Sequence, residues 1–276
     1  MLGREQIVVL AQGHGLGRGD AERVADGALP AVALRFAEPS GRGVLGATRL
    51  GGVPDMAEDE MWPLERDGTP LMFVMQLAAR GLDVAERSVG ARQRWRHRDE
   101  LVRFFAPIGF EIFGPEGEWV SSVALDREIA PRQTPAGGHV LPERSVETRP
   151  ISSLRDVHPS VERFEDQYRL GDELDEWSFL QDEVREGARH QLLGWPRLGQ
   201  HDPFETLALE ANEAAAANAP RQAIDPDPSS WRLLLALHWD YENGIEIGDD
   251  GSAYYLIPAR DLANGNYDRV LLFAAI

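Results

Sequence analysis

A chain of 276 residues, 43% of them hydrophobic, can bury a substantial core as one large domain or two small ones. Its formal charge of -18 repels phosphate backbones and anionic bilayers, which argues against nucleic acid and membranes as partners. It has no cysteine, which excludes disulfides, thiol nucleophiles and thiolate metal sites, and all 28 of its basic residues are arginine, so any chemistry must come from carboxylates, His, Ser, Thr, Tyr or Arg.

At the N-terminus the apolar run Ile7 to Ala11 is too short for a signal-peptide core or a membrane span, which points to a cytoplasmic protein. The stretch "IVVLAQGHGLGRGDAERVADGAL" could be drawn as strand, glycine loop and helix. A dinucleotide fingerprint, however, needs glycine where Arg18 or Asp20 stands, so no nucleotide cofactor is expected. The pattern predicts two helices over 4–13 and 20–28, joined by a glycine-rich turn, with Asp20 as the second N-cap.

Strands are predicted over Ala31 to Phe36, Leu71 to Leu77, Leu101 to Ala106, Trp119 to Leu125, Trp231 to His238, Ala253 to Ile257 and Val270 to Phe273. The acidic run Asp55 to Glu60 reads as solvated surface. Gln76, inside an apolar strand, must find hydrogen-bond partners, as a strut for a neighbouring turn or as a ligand contact. "ETRPISS" reads as a connector. After it, Val161, Phe164 and Tyr168 form one helical stripe and Leu174, Trp177, Leu180 and Val184 another, both facing a core. "FETLALEANEAAAANAP" reads as a further helix ending at Pro220, and "GDDGS" at 248–252 as a hairpin turn using Gly251. Strands that come in clusters, and do not alternate regularly with helices, predict an α+β fold with a mainly antiparallel sheet and packed helices.

"LGGVPDMAEDEMWPLERDGTPLMFVMQL" from Leu50 has a fainter counterpart in "HQLLGWPRLGQHDP" from His190 and "WRLLLALHWDYENG" from Trp231. In each, a Leu-Gly turn with a proline precedes an apolar strand. This suggests one domain over 1–276 with degenerate repeat halves at about 30–150 and 151–276. These segments, with "IEIGDDGSAYYLIPARDLANGNYDRV", resemble the YwqG-like family, a bacterial domain family of unknown function. The resemblance runs from about Ala31 to Val270. It implies a compact, cytoplasmic, mixed α+β protein and carries over no established reaction. Where that family tends to place Gln and then Asp-Ser-Asp, this chain has Ala236 and then His238-Trp239-Asp240.

The repeat would bring Gly52, Pro54, Trp62, Gln76, His190, Trp195, Trp231 and Asp240 to the junction of the halves, with Trp as apolar wall and Gln, His and Asp as polar contacts. His190 is either a base or ligand on a cleft lip, or a partner for helix-end carbonyls. His238 and Asp240, two apart on a strand, would share a side as a carboxylate-oriented imidazole. Nothing brings these and His201-Asp202 to ligand spacing, so no metal is expected. With no Gly-x-Ser-x-Gly elbow and no His-Glu-x-x-His helix, the leading expectation is a non-catalytic binding module. Its partner would be a basic protein, such as a toxin in a bacterial conflict system, drawn by the acidic surface. The alternative is a hydrolase or transferase acting on a small molecule through His190 and His238/Asp240.

Overall fold

The structure is a computed structural model that describes residues 1–38, 43–79, 99–110, 113–114, 119–199, 201–216 and 224–275. Its strands are β1 (Leu29–Ala37), β2 (Arg49–Leu50), β3 (Asp55–Met56), β4 (Met72–Ala78), β5 (Glu100–Ala106), β6 (Phe113–Gly114), β7 (Val120–Ala124), β8 (Ala130–Pro131), β9 (Arg144–Ser153), β10 (His190–Leu192), β11 (Trp231–His238), β12 (Ser252–Pro258) and β13 (Leu271–Ala275). The helices are α1 (Arg4–Gly13), α2 (Arg18–Asp26), α3 (Asp172–Val184), α4 (Pro203–Ala216) and α5 (Ala259–Asn264). Helices and a large antiparallel sheet make this an α+β protein. Among the described residues no helix is long and apolar enough to cross a membrane.

Eleven strands form one sheet in the order β6-β13-β12-β11-β10-β1-β9-β2-β4-β5-β7, and β3 pairs separately with β8. The long pair β1/β9 lies at the middle, from Leu29 opposite Ser153 to Ala37 opposite Ser145. On one side of it β2, β4, β5 and β7 pair in turn; on the other, β10, β11, β12 and β13 do the same. Both arms carry a register shift in the strand after the short one, at Val74 between Phe73 and Met75 and at Leu234 between Leu233 and Leu235. A bulge turns one carbonyl out of the ladder. In the first arm the Val74 carbonyl takes the Gly51 N–H (2.8 Å), and in the second the Leu234 carbonyl takes the Leu193 N–H (3.3 Å).

The sheet curls onto itself. β5 and β12 have six strands between them in the sheet order, yet Phe104 meets Tyr255 edge to face at 5.2 Å and the Tyr255 hydroxyl donates to the Phe105 carbonyl at 3.1 Å. The main core is the inner side of this curl, where Leu50, Met75 and Phe104 of one arm share a cluster with Leu192, Leu235 and Tyr255 of the other. A separate core is built by Ile7, Ala11, Ala21 and Ala25 of α1 and α2 against Trp177, Leu180 and Val184 of α3. The stripe read from spacing on α3 therefore faces a core as expected.

Several local expectations are corrected. The second helix begins at Arg18 with Gly17 as N-cap, and Asp20 lies in its first turn. "ETRPISS" is the second part of the longest strand, β9. Because β2 pairs only with Arg144 and Ser145, Pro150 sits where β9 has one neighbouring strand, a place sheets accept proline. Tyr168 is 61% exposed and belongs to a 3-10 turn, Phe164–Arg169, so that stripe does not face a core there. Asp55 is fully buried and Glu60 partly so, which removes them from the solvated run. His190 is on a strand, and the last residues of the helix expected up to Pro220 lie outside the described residues.

Candidate functional site

β10 is three residues long and wedged between β1 and β11, and it places the buried His190 ring 4.6 Å from Phe36. His190 Nε2 lies 3.1 Å from Asp240 Oδ2, while Nδ1 accepts the His238 backbone N–H at 3.3 Å. With Nδ1 accepting, the proton resides on Nε2 and is donated to Asp240. Burial lowers the His190 pKa, against the pull of Asp240. The bond from His190, assisted by Asn243, holds Asp240 down to about 2. Asn243 Nδ2 donates to Asp240 Oδ2 at 2.8 Å, and Arg144 Nε on β9 donates to Asn243 Oδ1 at 3.1 Å. Next to Arg144, Glu143 lies against Gly52, where an added Cβ would overlap its carboxylate. His190, Asp240 and Gly52 thus belong to one contact chain across the middle of the sheet.

The expected pairing of His238 with Asp240 is corrected. β11 ends at His238, the Trp239 N–H bonds the Gly251 carbonyl (2.9 Å), and the alternation that would put residues 238 and 240 on one side stops there. His238 Nδ1 instead meets Ser252 Oγ at 2.7 Å. Its buried Nε2 has no partner among the described residues. Ser252 is 1% exposed, so this serine–histidine pair is closed to a substrate.

Gln76 belongs to a different network. Its Oε1 accepts the Asp55 N–H at 2.9 Å, and its Nε2 donates to the Ala47 carbonyl and to Asp55 Oδ2, each at 2.8 Å. Asp55 also receives Arg49 Nη2 at 2.9 Å, Arg49 Nη1 at 3.1 Å and the Gly46 N–H at 2.8 Å. Burial pushes its pKa up, but these bonds bring it below the ordinary value. Beside it, buried Arg103 pairs with Glu60, and the Pro54 carbonyl accepts the Arg132 N–H at 2.8 Å. The whole amide of Gln76 is spent holding the turn that follows β2.

The other tryptophans are apart from both networks. Trp62 donates to the Leu71 carbonyl (2.8 Å) and meets Phe105 edge-on. The Trp195 N–H donates to Ser153 Oγ at 2.9 Å and its indole to the Gly27 carbonyl at 2.8 Å. Trp231 opens β11, seven residues before His238 and so about 23 Å along the strand from it. There it lines a cleft of about 410 Å³ with Ile224, Pro258, Leu271 and Arg260. Three strands separate β4 from β10, so Gln76 and His190 are about 19 Å apart across the sheet. The structure brings His190 to Asp240 and Gln76 to the Gly52–Pro54 turn; it does not bring all eight residues to one pocket.

Arg49, Asp55, Arg103 and Arg185 carry the polar interior; the three arginines were not singled out from sequence, and Asp55 reads there as solvated surface. Arg103 interrupts "LVRFFA" as Gln76 interrupts its own strand, so the same signal could have found it. Fully buried Arg185 caps α3, where the helix end favours a cation. It donates to the carbonyls of Leu154 (3.0 Å), Pro196 (3.1 Å) and Trp195 (3.2 Å), tying the second turn to the helices. Among the described residues no group of three or more His, Asp or Glu is placed to hold a metal ion.

Comparison with curated proteins finds none that matches. Residues 48–89 and 90–274 match the profile of a family described as a domain of unknown function, DUF1963, and with well over half of its length matched the chain belongs to that family.

Proposed function

We propose that the protein is a non-catalytic binding module for a positively charged protein partner. The observation that carries this reading is His190, whose two ring nitrogens are both engaged, one by Asp240 and one by the His238 N–H, leaving no lone pair or proton for a substrate. Gln76 and Asp55 are likewise consumed in holding a turn. A net charge of -18 gives long-range attraction to a basic surface and repels anions. The matching strand order and bulges of the two arms support descent from a duplicated unit, in keeping with the YwqG-like resemblance and its bacterial, cytoplasmic setting.

The test is affinity capture from the native cell at low and high salt, with mass spectrometry of what co-elutes. A basic partner whose retention falls as salt rises supports the reading; an acidic partner held regardless of salt overturns it. His190→Ala and Asp240→Ala are expected to lower the melting temperature and leave partner affinity unchanged in the folded fraction. Loss of a measurable turnover in stable variants would favour the hydrolase or transferase alternative.

A further inference from the structure

A cavity of about 320 Å³ lies outside the networks above, where the turn between α1 and α2 meets the start of α3. Its wall carries four carboxylates, Asp20, Asp172, Glu173 and Glu176, and two imidazoles, His14 and His158. Two of the carboxylates are occupied: Glu176 lies 2.9 Å from His14 Nδ1, and Asp20 pairs with Arg23. Asp172 and Glu173 are both exposed and form no side-chain hydrogen bond or ion pair among the described residues, the charge of Glu173 acting on the nearby His158 ring. They open α3, whose N-cap Gly171 supplies no side chain, and so balance the positive helix end. That local role alone would not make a site.

His158 is the second, independent observation. It is 5% exposed, its ring stands edge-on to Trp177 at 5.4 Å, and its Nδ1 accepts the Ser160 N–H at 3.2 Å. The ring forms part of the cavity wall, and its Nε2, which makes no hydrogen bond among the described residues, is not sealed from solvent. Because Nδ1 accepts, Nε2 carries the proton and offers a donor to the cavity. His14 sits between Glu176 and, at 3.1 Å, Glu183, an arrangement whose two N–H donors require the imidazolium. It closes one wall and leaves Asp172 and Glu173 outside any ion pair. The cavity therefore offers negative charge outside any ion pair together with one neutral donor on a buried ring, and a bare cation answers only the first.

We infer that this cavity binds the guanidinium or ammonium head of an arginine or lysine residue, with Asp172 and Glu173 taking the charge and His158 Nε2–H taking a carbonyl of the same peptide. A free alkyl cation offers the same head without the carbonyl. The inference rests on the binding-module reading only in assigning the residue to a protein partner.

The test is calorimetric titration of the intact chain with N-acetyl-arginine amide, its neutral isostere N-acetyl-citrulline amide, and butylguanidinium. The arginine amide is expected to bind, the citrulline amide not, and Asp172→Asn with Glu173→Gln to weaken binding about tenfold or more, with only the modest fall in melting temperature that loss of their helix-end charge brings. Binding of the arginine amide above butylguanidinium assigns the residue to a peptide chain, and equal binding of the two overturns that assignment. His158→Phe, which keeps a ring against Trp177, is expected to bring the arginine amide down to the butylguanidinium level. Should that variant fail to fold, the His158 Nε2 resonance of the unmodified protein must shift on adding the arginine amide. Equal binding of the citrulline amide, unchanged affinity in the double variant, or an unmoved His158 resonance each overturns the inference. If the double variant still captures the basic partner, the cavity assignment fails while the binding-module reading stands.

Discussion

At the place on β5 where one arm has Arg103, β12 of the other arm has Tyr254. Arg103 pairs in register with Gln76, next to the bulge at Val74, and Tyr254 pairs with Ala236, next to the bulge at Leu234. Both side chains reach the backbone carbonyl five residues beyond the leucine of the short strand. Arg103 Nη1 donates to the Asp55 carbonyl at 3.2 Å, and the Tyr254 hydroxyl donates to the Arg197 carbonyl at 3.0 Å. What this place requires is a donor to that carbonyl, and a cation and a phenol each meet the need. They differ in what surrounds them. The cation brings Glu60 with it and lies beside the Arg49–Asp55 pair, so the first arm is held by buried ions. In the second arm residue 197 sends its side chain to Asp182 at the surface, and the buried Arg185 spends its Nη2 on the Leu154, Trp195 and Pro196 carbonyls.

Asp55→Ala tests this difference most severely. It strands Arg49 among buried groups and is expected to cost about 3–5 kcal/mol in urea unfolding. Arg197→Ala, at the matching place, removes a pair whose side chains are 42% and 45% exposed, and is expected to cost less than about 1 kcal/mol. Equal losses would show that the arms are held alike. Gly51→Ala comes next, at about 3 kcal/mol, because φ is 60° there and a Cβ would overlap the Pro142 carbonyl oxygen. Leu193 takes the same left-handed conformation in the other arm, at φ 59°, with its side chain buried in the main core. A smaller effect, about 1–1.5 kcal/mol, is expected for Tyr254→Phe, which leaves the Arg197 carbonyl without that donor.

Acid sharpens the comparison further. Burial lowers the pKa of His190, and that of His238 well below the ordinary 6.5. The stability tied to their neutral forms is complete above 6.5 and is lost as pH falls below it. Asp55 and Glu60 are held below their ordinary 3.8 and 4.5, so their contribution is complete above those values and lost only below them. On acidification, hydrogen exchange is expected to quicken in β10 and β11 before β2, β4 and β5; the reverse order would refute the assignment.

Much of the sheet was legible because its strands are apolar on both sides and cannot be left in water, and the α3 stripe because its spacing fits one helix face. Gln76 could be read as a strut because a polar group in such a strand must be satisfied. The second half of β9 was hidden by Pro150 and its serines, which read as breakers until the one-sided pairing of that stretch is known. The His190–Asp240 contact spans 50 residues and comes from the β10–β11 register, which local spacing does not encode. Alternation pointed Asp240 at His238 only because the end of β11 carries no proline or glycine to mark it.

β6 and β7 stand at the two edges of the sheet, with only the short connection from Gly114 to Val120 between them. Seen as a sequence of events during synthesis, this imposes an order. β4, β5 and β7 pair with their neighbours in chain order and can form as they emerge, whereas β1 waits for β9 and β10, more than a hundred residues later. β6 waits longest, because its partner is β13. Closure of the curl is then expected to come after the other pairings, once β13 is available, and until then the inner faces of both arms would stay open to chaperones and to one another.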